Sequence, residues 1–285
     1  MKTMKLLNIL RFTIIVWSFT GCSQNDLQKD DVLFFSSFDG SVTADIAQGD
    51  AQIYSAKSYK EAANAKAGIT DANVLLAKGA GHIGDAIHFK EAKTAAIFYK
   101  AFKNVGYSSS SWSGTVSFWL RLDPNKDLAP HYCDPICITD TKWSDAGLWV
   151  DFTNDSPRKF RYGAMGDIAV WDPNEDSDEN DWNKRTITVD PSPFQSETWT
   201  HVAMVFSEIN TLRPTFRLYL NGIDRGGIEQ IPDPFTWEEE NGKIMLGLGY
   251  IGMMDELAIF NKALNAKEVR RVFELKNGIK SLWEE

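Results

Sequence analysis

Apolar side chains alternate with polar ones in short segments along nearly the whole sequence, and a period of two admits strands where it excludes amphipathic helices. Val116, Phe118, Leu120 and Leu122 fall on one face of such a segment, with Ser117, Trp119 and Arg121 on the other. Residues 201–206 repeat the pattern. Phe216, Leu218 and Leu220 alternate up to Asn221-Gly222, a dipeptide that tolerates positive φ and closes hairpins. Further strands are expected at 32–38, 86–89, 95–99, 137–139, 148–152, 159–162, 243–246 and 256–260. Many short strands with turn signals between them predict an all-β fold, a two-sheet antiparallel sandwich of the jelly-roll kind.

Helical periodicity is confined to two places. Residues 59–76 are rich in Ala but interrupted by Gly68. Near the C-terminus Asn265 and Glu268 have the spacing of an N-cap and capping box, Val269, Val272 and Phe273 supply an apolar stripe, and Gly278 a stop. A short C-terminal helix is expected there. With 43% hydrophobic and 24% charged residues over 285 positions, the chain has material for one large core, which excludes a multi-span membrane protein or a largely disordered one. No internal repeat or Pro-rich linker follows Asp31, so residues 32–285 read as one domain.

Residues 1–21 carry Lys2, Lys5 and Arg11 but no acid, and an apolar run at 12–19 leads to Gly21, the pattern of an export signal that is no part of the fold. Residues 22–31 are polar enough to be a tether, because burial there would not offset the entropy of ordering. Since the leader is basic, the rest of the chain is more acidic than the net −9 of the whole. Nucleic acid, which needs clustered Lys and Arg, is not an expected partner. Cys133 and Cys137 lie six residues or fewer from His131. Export permits a small-loop disulfide between them, and two unpaired cysteines, one in a buried strand, are the alternative. A zinc site would need four ligands, and His131 alone accompanies them.

The segment Phe19-Thr20-Gly21-Cys22 resembles the lipobox of bacterial lipoproteins, although Phe19 stands where that family prefers an aliphatic residue. The resemblance implies lipidation at Cys22 and attachment to the membrane through the lipid anchor only. Ser23 beside it implies the outer membrane, with the domain facing the periplasm or the cell exterior. An ordinary cleaved signal with an incidental cysteine is the alternative.

Four motifs in order, SGTVSFWLR at 113–121, ETWTHVAMVF at 197–206, LYLNG at 218–222 and MDELAIFNKALNAKEV at 254–269, resemble the laminin-G-like jelly roll of the concanavalin A-like lectin/glucanase superfamily. Phe38-Asp39-Gly40 and the segment 81–89 fit the same template. That fold hosts lectins, adhesion modules and hydrolases, so function has to be read from sites. The hydrolases of the superfamily carry alternating carboxylates on one concave strand, and this sequence has no such strand. Its acidic runs, 175–179 and Glu238-Glu239-Glu240, read as a loop and a solvated turn. His201 and Trp199 read as packing residues. No nucleophile elbow or phosphate loop is present, so no catalytic residue is assigned.

Relatives of this fold commonly hold a structural calcium on the convex side. The resemblance carries its ligands onto Asp255, Asp39 and the carbonyl of Gly84, a set that suits calcium's preference for oxygen donors. Asp255 shares parity with Met253, Leu257 and Ile259, which implies a carboxylate on a partly buried surface. A turn cap or a pairing with Lys or Arg is the alternative. Oxygen side chains at Asp172, Asn174, Asp176 and Asp178 have a calcium-loop spacing, but Ser177 and Asn183 break the pattern and a solvated loop is the expected reading.

Of ten Trp residues, Trp171 and Trp182 bracket the acidic loop, while Trp112 and Trp143 sit among Ser, Gly and Asp, where a flat ring beside polar groups can hold a sugar. Covering the ends of the sandwich is the structural alternative for each. The reading is a non-catalytic, lipid-anchored module whose ligand is a glycan or, in the second reading, a protein; a glycoside hydrolase with a diverged site comes third.

Overall fold

The alternating segments pair as antiparallel strands in two stacked sheets, as the computed structural model shows for the described residues 27–92, 95–229 and 231–283. The export signal and Cys22 lie outside the described residues. In chain order the strands are β1 Val32–Ser36, β2 Ile46–Ala47, β3 Ile53–Ala56, β4 Lys66–Ala67, β5 Val74–Ala77, β6 Ala86–Phe89, β7 Ala96–Lys100, β8 Trp112–Arg121, β9 Cys133–Thr139, β10 Gly147–Phe152, β11 Phe160–Met165, β12 Thr186–Val189, β13 Thr200–Ile209, β14 Thr215–Leu220, β15 Ile223–Glu229, β16 Lys243–Leu248 and β17 Gly252–Phe260. The first sheet has the order β15-β14-β13-β8-β17-β1-β2, with β6 also on β17 and β5 on β6; the second runs β12-β11-β10-β9-β16-β7-β3-β4.

Alternation decides which side chains fill the space between the sheets. Phe118, Leu120, Val202, Met204, Leu218 and Ile259 from the first sheet meet Ile97, Ile138, Leu148, Val150, Tyr162 and Leu246 from the second in one buried core. The outer faces are also apolar in part. On the first sheet Phe35, Val205, Tyr219 and Phe260 are covered by Leu27, by Val269 and Val272 of the helix Ala266–Phe273, and by Ile279. That helix starts as expected: the Asn265 side chain accepts from the amides of Lys267 and Glu268, and the Glu268 carboxylate takes the Asn265 amide.

Two expectations are corrected and one open alternative is decided. The tether does not extend to Asp31: Leu27 is 1% exposed against the first sheet, Lys29–Asp31 form a 3₁₀ turn, and Asp31 pairs with Lys262 at 3.2 Å. The Ala-rich segment 59–76 is not one helix; a 3₁₀ turn, Tyr59–Asn64, gives way to β4 and β5 around the interruption at Gly68. Cys133 and Cys137 are both free and buried, at the two ends of one five-residue stretch of β9. A disulfide needs Cα atoms within about 7 Å, whereas four steps of strand span about 13 Å. Among the described residues no helix is long and apolar enough to cross a membrane.

Candidate functional site

The outer face of the second sheet is where the molecule opens. Trp149 and Asp151 stand two residues apart on β10 and so point the same way, out from the sandwich. Across the ladder Arg161 of β11 lies directly opposite Asp151, and Gly163 opposite Trp149. A Cβ at Gly163 would strike the indole, so this glycine lets the Trp149 ring lie flat on the sheet. Asp134 of β9 faces the same space, paired in register with Leu248 of β16.

The loop after α-helical turn Ile168–Trp171 supplies the second wall. The Asp172 carboxylate accepts the amides of Asp176 and Ser177 and the Ser177 hydroxyl, and Asp178 caps the turn Glu179–Lys184 through the amides of Asn180 and Asp181. The acidic run is thus a folded capping device, not a metal loop. It delivers Trp182 against Trp143, ring centroids 5.3 Å apart and 30° between planes, with Trp171 edge-on behind it at 5.1 Å. Trp143 is itself edge-on to Trp149, whose indole N–H donates to the Trp143 carbonyl at 3.0 Å. Together these walls enclose a cleft of about 830 Å³ lined by Trp143, Trp149, Trp182, Asp134, Asp151 and Arg161, with Tyr132 and Glu179 at its edge.

The polar floor is unusual for its charge. Arg161 grips Asp151 with two parallel bonds, Nε to Oδ1 at 2.9 Å and Nη2 to Oδ2 at 2.5 Å. Its guanidinium also lies over the rings of Tyr132 and Trp149, 5.0 and 5.4 Å from their centroids. Asp151 is 3% exposed. Burial raises its pKa and the Arg161 fork opposes the rise, while Arg161 is held the more firmly charged by the same contact. Asp134 has no such partner. Burial, with the Asp151 charge adding to it and the Arg161 charge opposing, pushes its pKa up to about 8.

The structure therefore brings Trp182 against Trp143, a pairing sequence reasoning did not foresee, and puts Trp171, the other Trp that brackets the acidic loop, behind it as a buried support. Trp112 is a correction. It opens β8 at 1% exposure, donates from its indole N–H to the Val105 carbonyl at 2.9 Å and packs on Phe206 and Trp237, so no ligand reaches it. Trp199 is also corrected: it precedes β13, half-exposed, under the Arg121 guanidinium. His201 is fully buried, bonded through Nε2 to the Ser117 hydroxyl at 2.9 Å, and burial lowers its pKa to about 3. Sequence reasoning missed Trp149, Asp151, Arg161 and Asp134. Trp149 and Asp151 share a parity in the sequence, but nothing in an otherwise apolar strand marks their face as the open one.

On the opposite sheet the residues expected to hold calcium do meet at one loop, 79–85, but they do not fit the ion. A bulge in β17, with Glu256 at φ +52°, shifts the register between Asp255 and Ala258, so Asp255 does not share a face with Leu257 and Ile259. Its carboxylate turns outward beneath the loop, fully buried, and accepts the amides of Ile83 at 3.0 Å and of Glu256 at 2.8 Å. Gly81 packs so close that a Cβ would collide with it. Asp39 accepts the Asp85 amide on Oδ1 at 2.8 Å and faces Lys280 Nζ with Oδ2 at 3.5 Å; the Gly84 carbonyl accepts the Gly81 amide at 3.0 Å. Amides and an ammonium thus hold the donors that a calcium ion would need. Among the described residues no three His, Cys, Asp or Glu side chains gather as metal ligands.

Comparison with solved structures shows the same fold at low identity. Domain 4 of AbnA, a GH43 extracellular arabinanase from Geobacillus stearothermophilus solved in complex with arabinotriose, superposes with a TM-score of 0.52 at 19% identity, covering 85% of this chain and 97% of that one. The binding domain of Paraclostridial Mosquitocidal Protein 1 gives 0.51 at 14%, covering 86% of this chain and 52% of that one. The receptor binding domain of botulinum neurotoxin type G gives 0.51 at 12%, covering 87% and 51%. The chain thus spans about half the length of the two toxin fragments. No curated protein sequence matches it. A laminin-G-type sequence model matches residues 99–270, which run from β7 through the capped C-terminal helix and include every wall of the cleft, and the chain belongs to the concanavalin A-like lectin/glucanases superfamily.

Proposed function

We propose that the protein is a non-catalytic glycan-binding module, exported and held at the outer membrane by a lipid on Cys22. The observation that carries the binding reading is the conjunction, in one open cleft, of the Trp143–Trp182 platform and the Asp151–Arg161 pair. Indole faces stack on the apolar faces of sugar rings, and the unused N–H groups of Arg161 with the Asp134 carboxyl offer hydrogen bonds to hydroxyls. The arabinanase domain of the same fold, solved with arabinotriose, supports a sugar as the ligand. The basic leader, apolar run and Gly21-Cys22 junction support the anchor.

Titration calorimetry of residues 23–285 against neutral oligosaccharides, beginning with arabinotriose, tests the reading. Binding that weakens in Trp182→Ala supports it. Silence toward every glycan together with capture of a defined protein ligand would replace it with the adhesion reading.

Cleavage is a further reading, and one observation favours it: Asp134 and Asp151 are two carboxyls that face the cleft from neighbouring strands, one gripped by Arg161 and the other outside that fork. Against it, Asp151 is fixed by Arg161 through both oxygens, which leaves it poorly placed to attack a sugar carbon or a water. A reducing-sugar assay separates the two, since binding alone releases none.

A further inference from the structure

Resting on the glycan reading, we propose that the cleft selects uncharged sugars and rejects sugar acids. The walls of the cleft carry no uncompensated positive charge. Arg161 is the lining residue with a permanent positive charge, and Asp151 takes two of its N–H groups in a side-on fork and cancels that charge. Tyr132 and Trp149 flank the guanidinium at 5.0 and 5.4 Å, and Asp151 already occupies its Nε–Nη2 edge, which a second carboxylate would otherwise grip side-on. The other ionisable side chains of one sign are Asp134 and Glu179, both acids. His131 lies at the margin and is tied by Nδ1 to the Tyr132 carbonyl at 2.7 Å.

A carboxylated or sulfated sugar entering this space would meet one neutralised cation, one or two carboxylates and a low-dielectric aromatic wall. It would lose hydration without gaining a counter-charge. A neutral sugar meets the same groups as hydrogen-bond partners: Arg161 retains three N–H donors, and the Asp134 carboxyl accepts from sugar hydroxyls. The acidic chain as a whole, at net −9, repels anions at longer range as well.

The test uses matched pairs of neutral and acidic sugars on the residue 23–285 protein: galactotriose against trigalacturonic acid, and lactose against 3′-sialyllactose, with arabinotriose as a further neutral probe, all by calorimetry at 0.15 M salt. The expected result is that at least one neutral probe binds, in a Trp182-dependent way, and its acidic partner binds at least tenfold more weakly. An acidic member that binds as tightly as its neutral partner, or more tightly, overturns the selectivity while leaving the glycan reading intact. Silence toward all probes overturns both. Asp151→Asn frees Arg161 and is expected to narrow the discrimination to less than threefold. Asp134→Asn, which keeps the Arg161–Asp151 pair, is expected to keep the preference for neutral sugars, so the comparison stays informative if the first variant folds poorly.

Discussion

Arg161 and Asp151 stand directly opposite each other across β10 and β11, joined by bonds of 2.9 and 2.5 Å, with Asp151 only 3% exposed. Removing either partner leaves a charge with no counterpart. Loss of one member of a fully buried pair costs about 3 to 5 kcal/mol. Arg161 keeps some contact with solvent, so Arg161→Met is expected to cost about 2 to 3 kcal/mol by urea unfolding. The Arg161→Met, Asp151→Asn double variant should recover part of that, and a double variant no better than additive would show the pair to be uncoupled.

Two tryptophans separate binding from packing. Trp182→Ala is expected to weaken a bound glycan two- to twelvefold, from a stacking contribution of about 0.5 to 1.5 kcal/mol, with the midpoint of thermal unfolding moved by only a few degrees. Trp112→Ala removes a ring from the core and is expected to cost about 3 to 5 kcal/mol of stability. If the losses were exchanged between the two sites, the assignment of platform and core would be wrong.

Calcium should leave the protein's thermal midpoint where chelator does. A ligand at a hundredfold excess over its Kd would add about 2.7 kcal/mol, so a rise of several degrees with millimolar calcium would refute the assignment of the 79–85 loop to amides and Lys280. Lys280→Met should be mildly destabilising, by less than about 1 kcal/mol, because its bridges to Asp39 and Asp45 are part-exposed.

Burial raises the Asp255 pKa to about 8, against 3.8 for the free group. The folded state therefore keeps its proton over a range where the unfolded chain has released it. The stability from this group is complete below pH 3.8 and is lost as pH rises towards 8, with a slope of up to about 1.4 kcal/mol per pH unit. Glu256, raised to about 7, and Asp134 slope the same way. Asp255→Asn should pay a constant penalty for its mismatched amide but show a shallower decline between pH 4 and 8, measured by chemical unfolding at each pH. A steeper decline would mean that the carboxylate is charged in the fold.

Cys22→Ser should move the full-length protein from the membrane fraction to the soluble one and remove acyl chains from its mass. Unchanged detergent partitioning would count against lipidation.

The strands were legible because alternation survives wherever one face of a segment meets the core; 86–89 was placed to the residue. Trp182 was legible because the acidic loop that carries it reads as polar. Trp149 and Asp151 were not, since all six residues of β10 are buried and the outward pair looks like interior. The meeting of Asp134 with Asp151 depends on pairing between strands, which no local pattern records. Asp255 was misplaced for a smaller reason: the bulge at Glu256 adds one residue to the count, and parity reverses across it. Trp112 misled because Ser and Gly neighbours mark a strand's start as readily as a loop's edge.

The first described residue, Leu27, is pinned to the outer face of the first sheet, while the cleft opens on the outer face of the second. Those surfaces look in opposite directions with the thickness of the sandwich between them. A chain hung from its N-terminal end would therefore rest with its helix-covered side toward the point of suspension and hold the cleft outward. Ligands would arrive from the far side, unobstructed by whatever the molecule hangs from.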